Sequence, residues 1–478
     1  MSFISPDYVV FFCVVLPLFF VIQHRFRWIL LLAVSYFFYA YGNIQYVPLI
    51  AFSTVVDYFA ARMIHKHDDD EAKRRLWLTA SIVVNLGVLF TFKYFNFFNE
   101  SAATLFNYTP LTHSFVLPIG ISFYTFQSMS YTIDVFRRKI EPEHNFGIMA
   151  TFVSFFPQLV AGPIERATNL LPQFHKEKTF DVDRTVSGLQ LILWGFFKKV
   201  VIADRIAIYV NAVYNDVGSF TGLPLIIATF FFAFQIYCDF SAYSDIAIGT
   251  ARILGFDLME NFRQPYFSQS VREFWARWHI SLSTWFRDYL YIPLGGNRVS
   301  LWRNLFNLFF VFLVSGLWHG AGWTFVIWGA LHGVAVAFLA LLRHFKLDLL
   351  PGKNPLMVLT RLSITFVFVC FAWIFFRANS LADAQYVIAH LLLFDASQDI
   401  FAPFADGLLA MQTEFYLSMA LIAGLVIFDW FDAKLTLPRM LAKTPLVIRW
   451  GAYYAITAVV MFSGLYGSGA EQFIYFQF

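Results

Sequence analysis

Residues 222–250 read Gly222-Leu-Pro-Leu-Ile-Ile-Ala-Thr-Phe-Phe-Phe-Ala-Phe-Gln-Ile-Tyr-Cys-Asp-Phe-Ser-Ala-Tyr-Ser-Asp-Ile-Ala-Ile-Gly-Thr250. A helical membrane span needs about 20 mostly apolar residues, and this stretch is longer than that. It nevertheless carries Gln235, Asp239 and Tyr243 at i, i+4 and i+8, on one helix face. An acid inside a span is rare and usually faces the interior of a helix bundle. The three side chains are therefore read as a buried hydrogen-bond network that fixes helix packing, with contact to a donor or acceptor as the alternative.

Working outward, comparable apolar runs lie near residues 7–23, 27–42, 45–63, 76–98, 185–211, 304–318, 323–342, 361–376, 414–430 and 450–466. Shorter runs, or runs broken by Gly or Pro, lie near 115–135, 146–161, 274–294 and 381–395. The pattern predicts an all-α, polytopic membrane bundle of roughly eleven to thirteen transmembrane or re-entrant helices. Broken backbone at membrane depth is tolerated only where protein or a water-filled cavity surrounds it, so the broken runs imply a cavity. The sequence carries no internal repeat, and an inverted-repeat transporter has no support.

Composition agrees. Hydrophobic residues make up 59% of the 478 and charged residues 14%, against about 25% charged in a soluble domain. Mean hydropathy is +0.61, and there are 61 Phe and 13 Trp. A soluble chain of this size has too much surface to hide that apolar content, which excludes a cytosolic enzyme. The net charge of +3 is too small to suggest nucleic acid as a partner; the expected environment is the lipid bilayer. Cys13, Cys238 and Cys370 sit in apolar runs with no Cys-x-x-Cys, so neither a disulfide framework nor a Cys-based metal site is expected. The first residues have no basic n-region or cleavage site and are read as the start of a retained helix.

Loop charge gives an orientation. Arg25, Arg27, Lys66, Lys73, Arg74, Arg75, Arg137, Arg138 and Lys139 cluster in alternate connections, while 41–45 and 100–113 have no Lys or Arg. Late in the chain 343–361 and 434–449 are basic, and 398–414 and 467–478 are not. The positive-inside rule then places the basic loops in the cytoplasm and both termini outside.

Two segments carry chemistry. Residues 272–298 interleave Arg272, Arg277, Arg287 and Arg298 with Trp275, Trp278 and Trp285. Such a mixture suits an interfacial helix with snorkelling arginines. It equally suits a cytoplasm-facing anion site, because the guanidinium fork binds two phosphate oxygens. The second segment is Ser315-Gly-Leu-Trp-His-Gly-Ala-Gly-Trp323, followed by Trp328-Gly-Ala-Leu-His-Gly333. His319, at the end of an apolar span, is either a satisfied core residue or faces a cavity. Its flanking glycines would admit another backbone or a ligand. His332 has less local support and is read as structural. Residues 118–134 and 156–166 break helical runs with Gly and Pro and are read as re-entrant turns. No His or Glu cluster has metal-ligand spacing. Walker A, Gly-x-Gly-x-x-Gly, His-Glu-x-x-His and Gly-x-Ser-x-Gly are absent as well.

Taken together, 117–134, 156–166, 235–249, 274–296, 316–323 and the closing Phe473-Ile-Tyr-Phe-Gln-Phe478 resemble the membrane-bound O-acyltransferase (MBOAT) family. The likeness is to its bacterial branch of alginate and peptidoglycan O-acetyltransferases, with a related D-alanyl transfer protein of teichoic acid synthesis. The blocks Trp278-His-Ile-Ser-Leu-Ser-Thr-Trp-Phe-Arg-Asp-Tyr289 and Gly316-Leu-Trp-His-Gly320 are the specific ones. The resemblance implies one domain over 1–478 around a central funnel and tunnel, with its signature region near 230–335. It implies His319 as the essential histidine. His279 stands where many members carry Asn or Asp.

It further implies acetyl collected from a cytoplasmic thioester, acetyl-CoA or an acyl-carrier protein, with no permanently bound cofactor. The acetyl group crosses the bacterial inner membrane for O-acetylation of a cell-surface polysaccharide. Final transfer is expected to fall to a periplasmic SGNH-type acetyltransferase. Histidine suits the base because its pKa lies near neutrality. On this reading His319 takes the acceptor proton, and His279 bonds the acyl carbonyl or orients the thioester. Arg287 and nearby arginines hold the donor's phosphates, with Asp288 and Trp318 as further donor- or acceptor-binding candidates. D-alanyl transfer to teichoic acid and a non-catalytic acetyl transporter are the alternatives.

Overall fold

Ser5, Asp70, Asn145, Ser270, Asn354 and Ser380 each stand one residue before a helix and accept a backbone N–H from its first turn. Local side-chain chemistry thus sets many helix starts. In the computed structural model, the described residues are all except 112, 114–116, 161, 353, 405–407, 436–443, 467–472 and 475–478. The charge reading of the tail 467–478 and most of the closing motif lie outside them. The first helices are α1 (Pro6–Val21), α2 (His24–Asn43), α3 (Val47–Lys66), α4 (Glu71–Leu89), α5 (Phe95–Phe106), α6 (Ile121–Phe136), α7 (Phe146–Ser154), α8 (Phe156–Leu159), α9 (Ala167–Phe174) and α10 (Val182–Phe196). Then come α11 (Asp204–Tyr214), α12 (Leu223–Ile253), α13 (Val271–Arg277), α14 (Ile280–Phe286), α15 (Leu301–His319), α16 (Trp323–His344), α17 (Pro355–Arg377), α18 (Leu381–His390), α19 (Leu408–Leu435) and α20 (Leu446–Ser463). Among the described residues there is no strand.

Nine helices among the described residues are long and apolar enough to cross a membrane. Two shorter apolar helices, Pro6–Val21 and Phe146–Leu159, accompany them. The chain is a polytopic helical membrane protein. Wide π-turns at Phe90–Tyr94 and Phe197–Ala203 join α4 to α5 and α10 to α11 without ending the helix, and a third, Arg287–Tyr291, follows α14. Such turns recur at functional sites. The outward rows of Val10, Val14, Phe59, Val83, Ile364, Val367, Met461 and Phe462 are exposed in the protein itself, as a hydrocarbon solvent requires.

Two compact units form, residues 1–192 with 243–260, and residues 193–242 with 261–478. In the first, the two broken motifs meet each other. A Cβ on Gly120, whose φ is +76°, would lie 2.8 Å from the Leu159 carbonyl oxygen. Gln127 and Gln158 both donate to the Phe152 carbonyl, at 2.6 and 3.1 Å. Glu165 accepts from Asn169 at 2.8 Å and from the Met259 amide. These bonds satisfy backbone and side-chain groups that the breaks expose. In the second unit α15 and α16 form a tight hairpin. A Cβ on Gly316 would meet the Phe325 carbonyl oxygen at 2.3 Å, and one on Gly329 the Phe312 carbonyl oxygen at 2.4 Å. The glycine of the Gly-Leu-Trp-His-Gly block thus admits a backbone.

Candidate active site

His279 separates α13 from α14 with φ 44° and ψ 54°, a left-handed conformation uncommon outside glycine. A network centred on Asn261 holds it there. The Asn261 side-chain oxygen accepts from the Ser281 amide at 3.2 Å and the Ser281 hydroxyl at 2.9 Å. The Asn261 carbonyl accepts from the Ile280 amide at 2.9 Å. His279 Nδ1 lies 3.1 Å from that same side-chain oxygen. An oxygen has no proton to give, so neutral His279 donates from Nδ1 and keeps its lone pair on Nε2. The ring is fully buried, 4.6 Å from the Phe240 ring of α12.

His319 closes α15 and is 3% exposed. Its ring centre lies 6.3 Å from that of His279. Trp318, Trp328 and Phe376 stand around it at 5.0, 4.9 and 5.5 Å, and Trp318 is 6.1 Å from His279. The structure thus brings together His279, His319 and Trp318, from segments forty residues apart in the chain. Aromatic walls of this kind exclude water, which limits hydrolysis of a reactive acyl donor.

His332 lies one turn beyond Trp328 on α16, and its Nδ1 accepts from the Trp275 indole at 3.1 Å. Rings of Trp275, Trp328 and Phe368 pack it at 5.1, 5.0 and 5.5 Å. This is the environment of a packing residue. Arg287 Nε donates to Asp288 at 2.7 Å, and its side chain is 57% exposed. The bond to Asp288 raises its pKa above the ordinary value, so it stays charged.

The α12 face divides. Asp239 is paired with Lys199 at 2.8 Å and accepts from the Ile474 amide at 2.7 Å. Lys199, on the π-turn, also meets Asp204 at 2.7 Å. Gln235 is buried on the same helix. Tyr243 belongs to the other unit and bonds Ser2 at 3.1 Å. Asp239 is therefore bonded to both Lys199 and the Ile474 amide. Asn261, Lys199, Phe240 and Phe376 escaped sequence reasoning. Asn261 stands in a short polar loop with no motif, and a Lys-Lys pair at a span's centre was the one available signal for Lys199. Among the described residues no three His, Cys, Asp or Glu side chains converge as metal ligands.

Comparison with known proteins gives the following likenesses. A family profile described as membrane-bound O-acyltransferase matches residues 31–382. A probable alginate O-acetylase of Pseudomonas aeruginosa is 44% identical over 380 residues, which are 78% of this chain and 71% of the relative. A peptidoglycan O-acetyltransferase of Helicobacter pylori is 38% identical over 386 residues, 75% of this chain and 72% of the relative. A teichoic acid D-alanyltransferase of Bacillus subtilis is 27% identical over 280 residues, 56% of this chain and 70% of the relative.

Proposed function

The chain belongs to the membrane-bound O-acyltransferase family, and on that premise we propose that it takes acetyl from a cytoplasmic thioester and passes it across the membrane for O-acetylation of an extracytoplasmic polysaccharide. Alginate-type exopolysaccharide and peptidoglycan are the acceptors the relatives' names support. D-alanyl transfer rests on lower identity over less of the chain. The observation that carries the reading is the pairing of His279 and His319 within an aromatic enclosure.

His319 takes the proton of the acceptor hydroxyl. The oxygen attacks the thioester carbon, the C–S bond breaks, and the proton held on the imidazole passes to the departing sulfur. The lone pair on His279 Nε2 favours a second role near that proton. It accepts from the acceptor hydroxyl or from the His319 ring rather than donating to the acyl carbonyl. Arg287 exchanges Asp288 for a donor phosphate when acetyl-CoA or an acyl-carrier thioester arrives. The whole chain acts as one domain of this family in the inner membrane, with basic loops in the cytoplasm and termini in the periplasm. An SGNH-type enzyme is the expected periplasmic partner.

Inside-out membrane vesicles given acetyl-labelled CoA test this reading. Label should reach a luminal acceptor in a His319-dependent way. Acetyl flux that survives His319→Ala would instead support a transporter. Orientation has its own check in a chain freed of its three cysteines. A cysteine at Asn107 should react with an impermeant reagent on spheroplasts, and one at Asp69 should not.

A further inference from the structure

The first unit holds a buried carboxylate that the acyltransferase reading does not use. Asp57 lies on α3 and is fully buried. Its carboxylate accepts from the hydroxyls of Ser81 on α4 and Ser128 on α6. It also accepts from the Asn85 amide, at 2.9 and 3.0 Å to its two oxygens. The Thr132 hydroxyl of α6 lies close to the same group. Ser53, four residues before Asp57, shares its helix face. Ser53, Ser81, Asn85, Ser128 and Thr132 are all buried.

Two features set this cluster apart from an ordinary network. Among the described residues no Lys, Arg or His forms an ion pair with Asp57, although it stands within a membrane-crossing helix. A charged carboxylate there is expensive without a counter-charge. Moreover, Ser53 Oγ and Asn85 Oδ1 are buried and carry no hydrogen bond among the described residues. Two of the cluster's oxygens, on α3 and α4, are therefore left over once its own protons are placed. A hydroxyl can turn its proton away and offer oxygen instead, and an amide can rotate.

We propose that this cluster is a monovalent-cation site that takes sodium. A lone carboxylate balances one positive charge, whereas a divalent ion would leave net charge at membrane depth. Hard cations take carboxylate, hydroxyl and amide oxygens together, and intramembrane acids commonly mark ion sites. The ion would tie α3, α4 and α6 to one another.

Sodium-22 binding to the purified full chain in detergent tests the assignment directly. The unsubstituted protein should bind one ion saturably, with potassium competing more weakly. Asp57→Asn should abolish binding, and Ser128→Ala should raise Kd about tenfold, the loss of one ligand contact. Should Asp57→Asn fail to fold, Ser128→Ala and the unsubstituted protein still decide the matter. No saturable binding by the unsubstituted chain would overturn the proposal and make Asp57 a protonated structural acid. Binding unchanged in either variant, or equal competition by potassium, would overturn it as well.

Discussion

Two groups of polar side chains in the second unit lie within apolar segments, and they are treated in opposite ways. Around Asp239 the neighbours are charges. Lys199 lies between Asp204 and Asp239 at 2.7 and 2.8 Å, and a backbone amide takes the remaining carboxylate oxygen. Around His319 the neighbours are rings, three of them within 5.5 Å, with His279 just beyond. A buried charge matched by an opposite charge and hydrogen bonds is costly to separate from them. An imidazole set among aromatic side chains can still take a proton and give it back, at the desolvation cost of the transient imidazolium. Both groups answer the problem of a polar atom in a membrane, and one of them leaves chemistry available.

That contrast breaks first at His319. His319→Ala should lower turnover about 10²–10⁴-fold, the usual share of a general base, while the protein inserts and accumulates. Acetylation assays on purified, monodisperse protein check it, and near-normal turnover would place the base elsewhere.

Lys199→Met should do the reverse. Removing one partner of a buried ion pair costs about 3–5 kcal/mol, so thermal stability in detergent should fall sharply. The acetylation rate per folded molecule should stay close to that of the unsubstituted protein. A stable variant with a lost rate would move Lys199 into the reacting centre.

Arg287 sharpens the comparison on the donor side. A charge-assisted contact contributes roughly 1.5–3 kcal/mol, or about 10–150-fold. Because Arg287 is exposed and already bonded to Asp288, Arg287→Ala should sit near tenfold, appearing in KM for acetyl-CoA with kcat retained. Turnover against donor concentration reads this out. A lowered kcat at unchanged KM would contradict the donor role.

His332 should show the smallest effect. His332→Phe leaves the Trp275 indole without its acceptor and should cost about 1–3 kcal/mol of stability, with kcat retained. His332→Gln, which restores an acceptor, should recover the melting temperature. A kcat loss in both would make His332 part of the reaction.

What the sequence made legible follows from distance along the chain. The spans were readable because apolar runs are local, and the two histidine blocks because their neighbours are adjacent in sequence. The continuous 36-residue helix Glu71–Phe106 was harder to see. Its π-turn at Phe90–Tyr94 keeps the hydropathy pattern while shifting the helix face. Asn261 was invisible because its bond to His279 spans 18 residues and an isolated Asn in a polar loop has no pattern. The Gly316–Gly329 contact was half legible. Glycine signalled a close approach, but only the hairpin shows that a carbonyl fills the space. Asp57 was overlooked for the same reason, since its partners lie 24, 28 and 71 residues away.

The central claim is that His279 and His319 serve one reaction. The most direct measurement is turnover of purified His279→Ala, His319→Ala and the double variant under identical saturating donor and acceptor. Residues acting as a unit are strongly non-additive. The double variant should therefore fall no further than His319→Ala alone. Losses that multiply in the double variant would show two independent contributions and contradict a shared site.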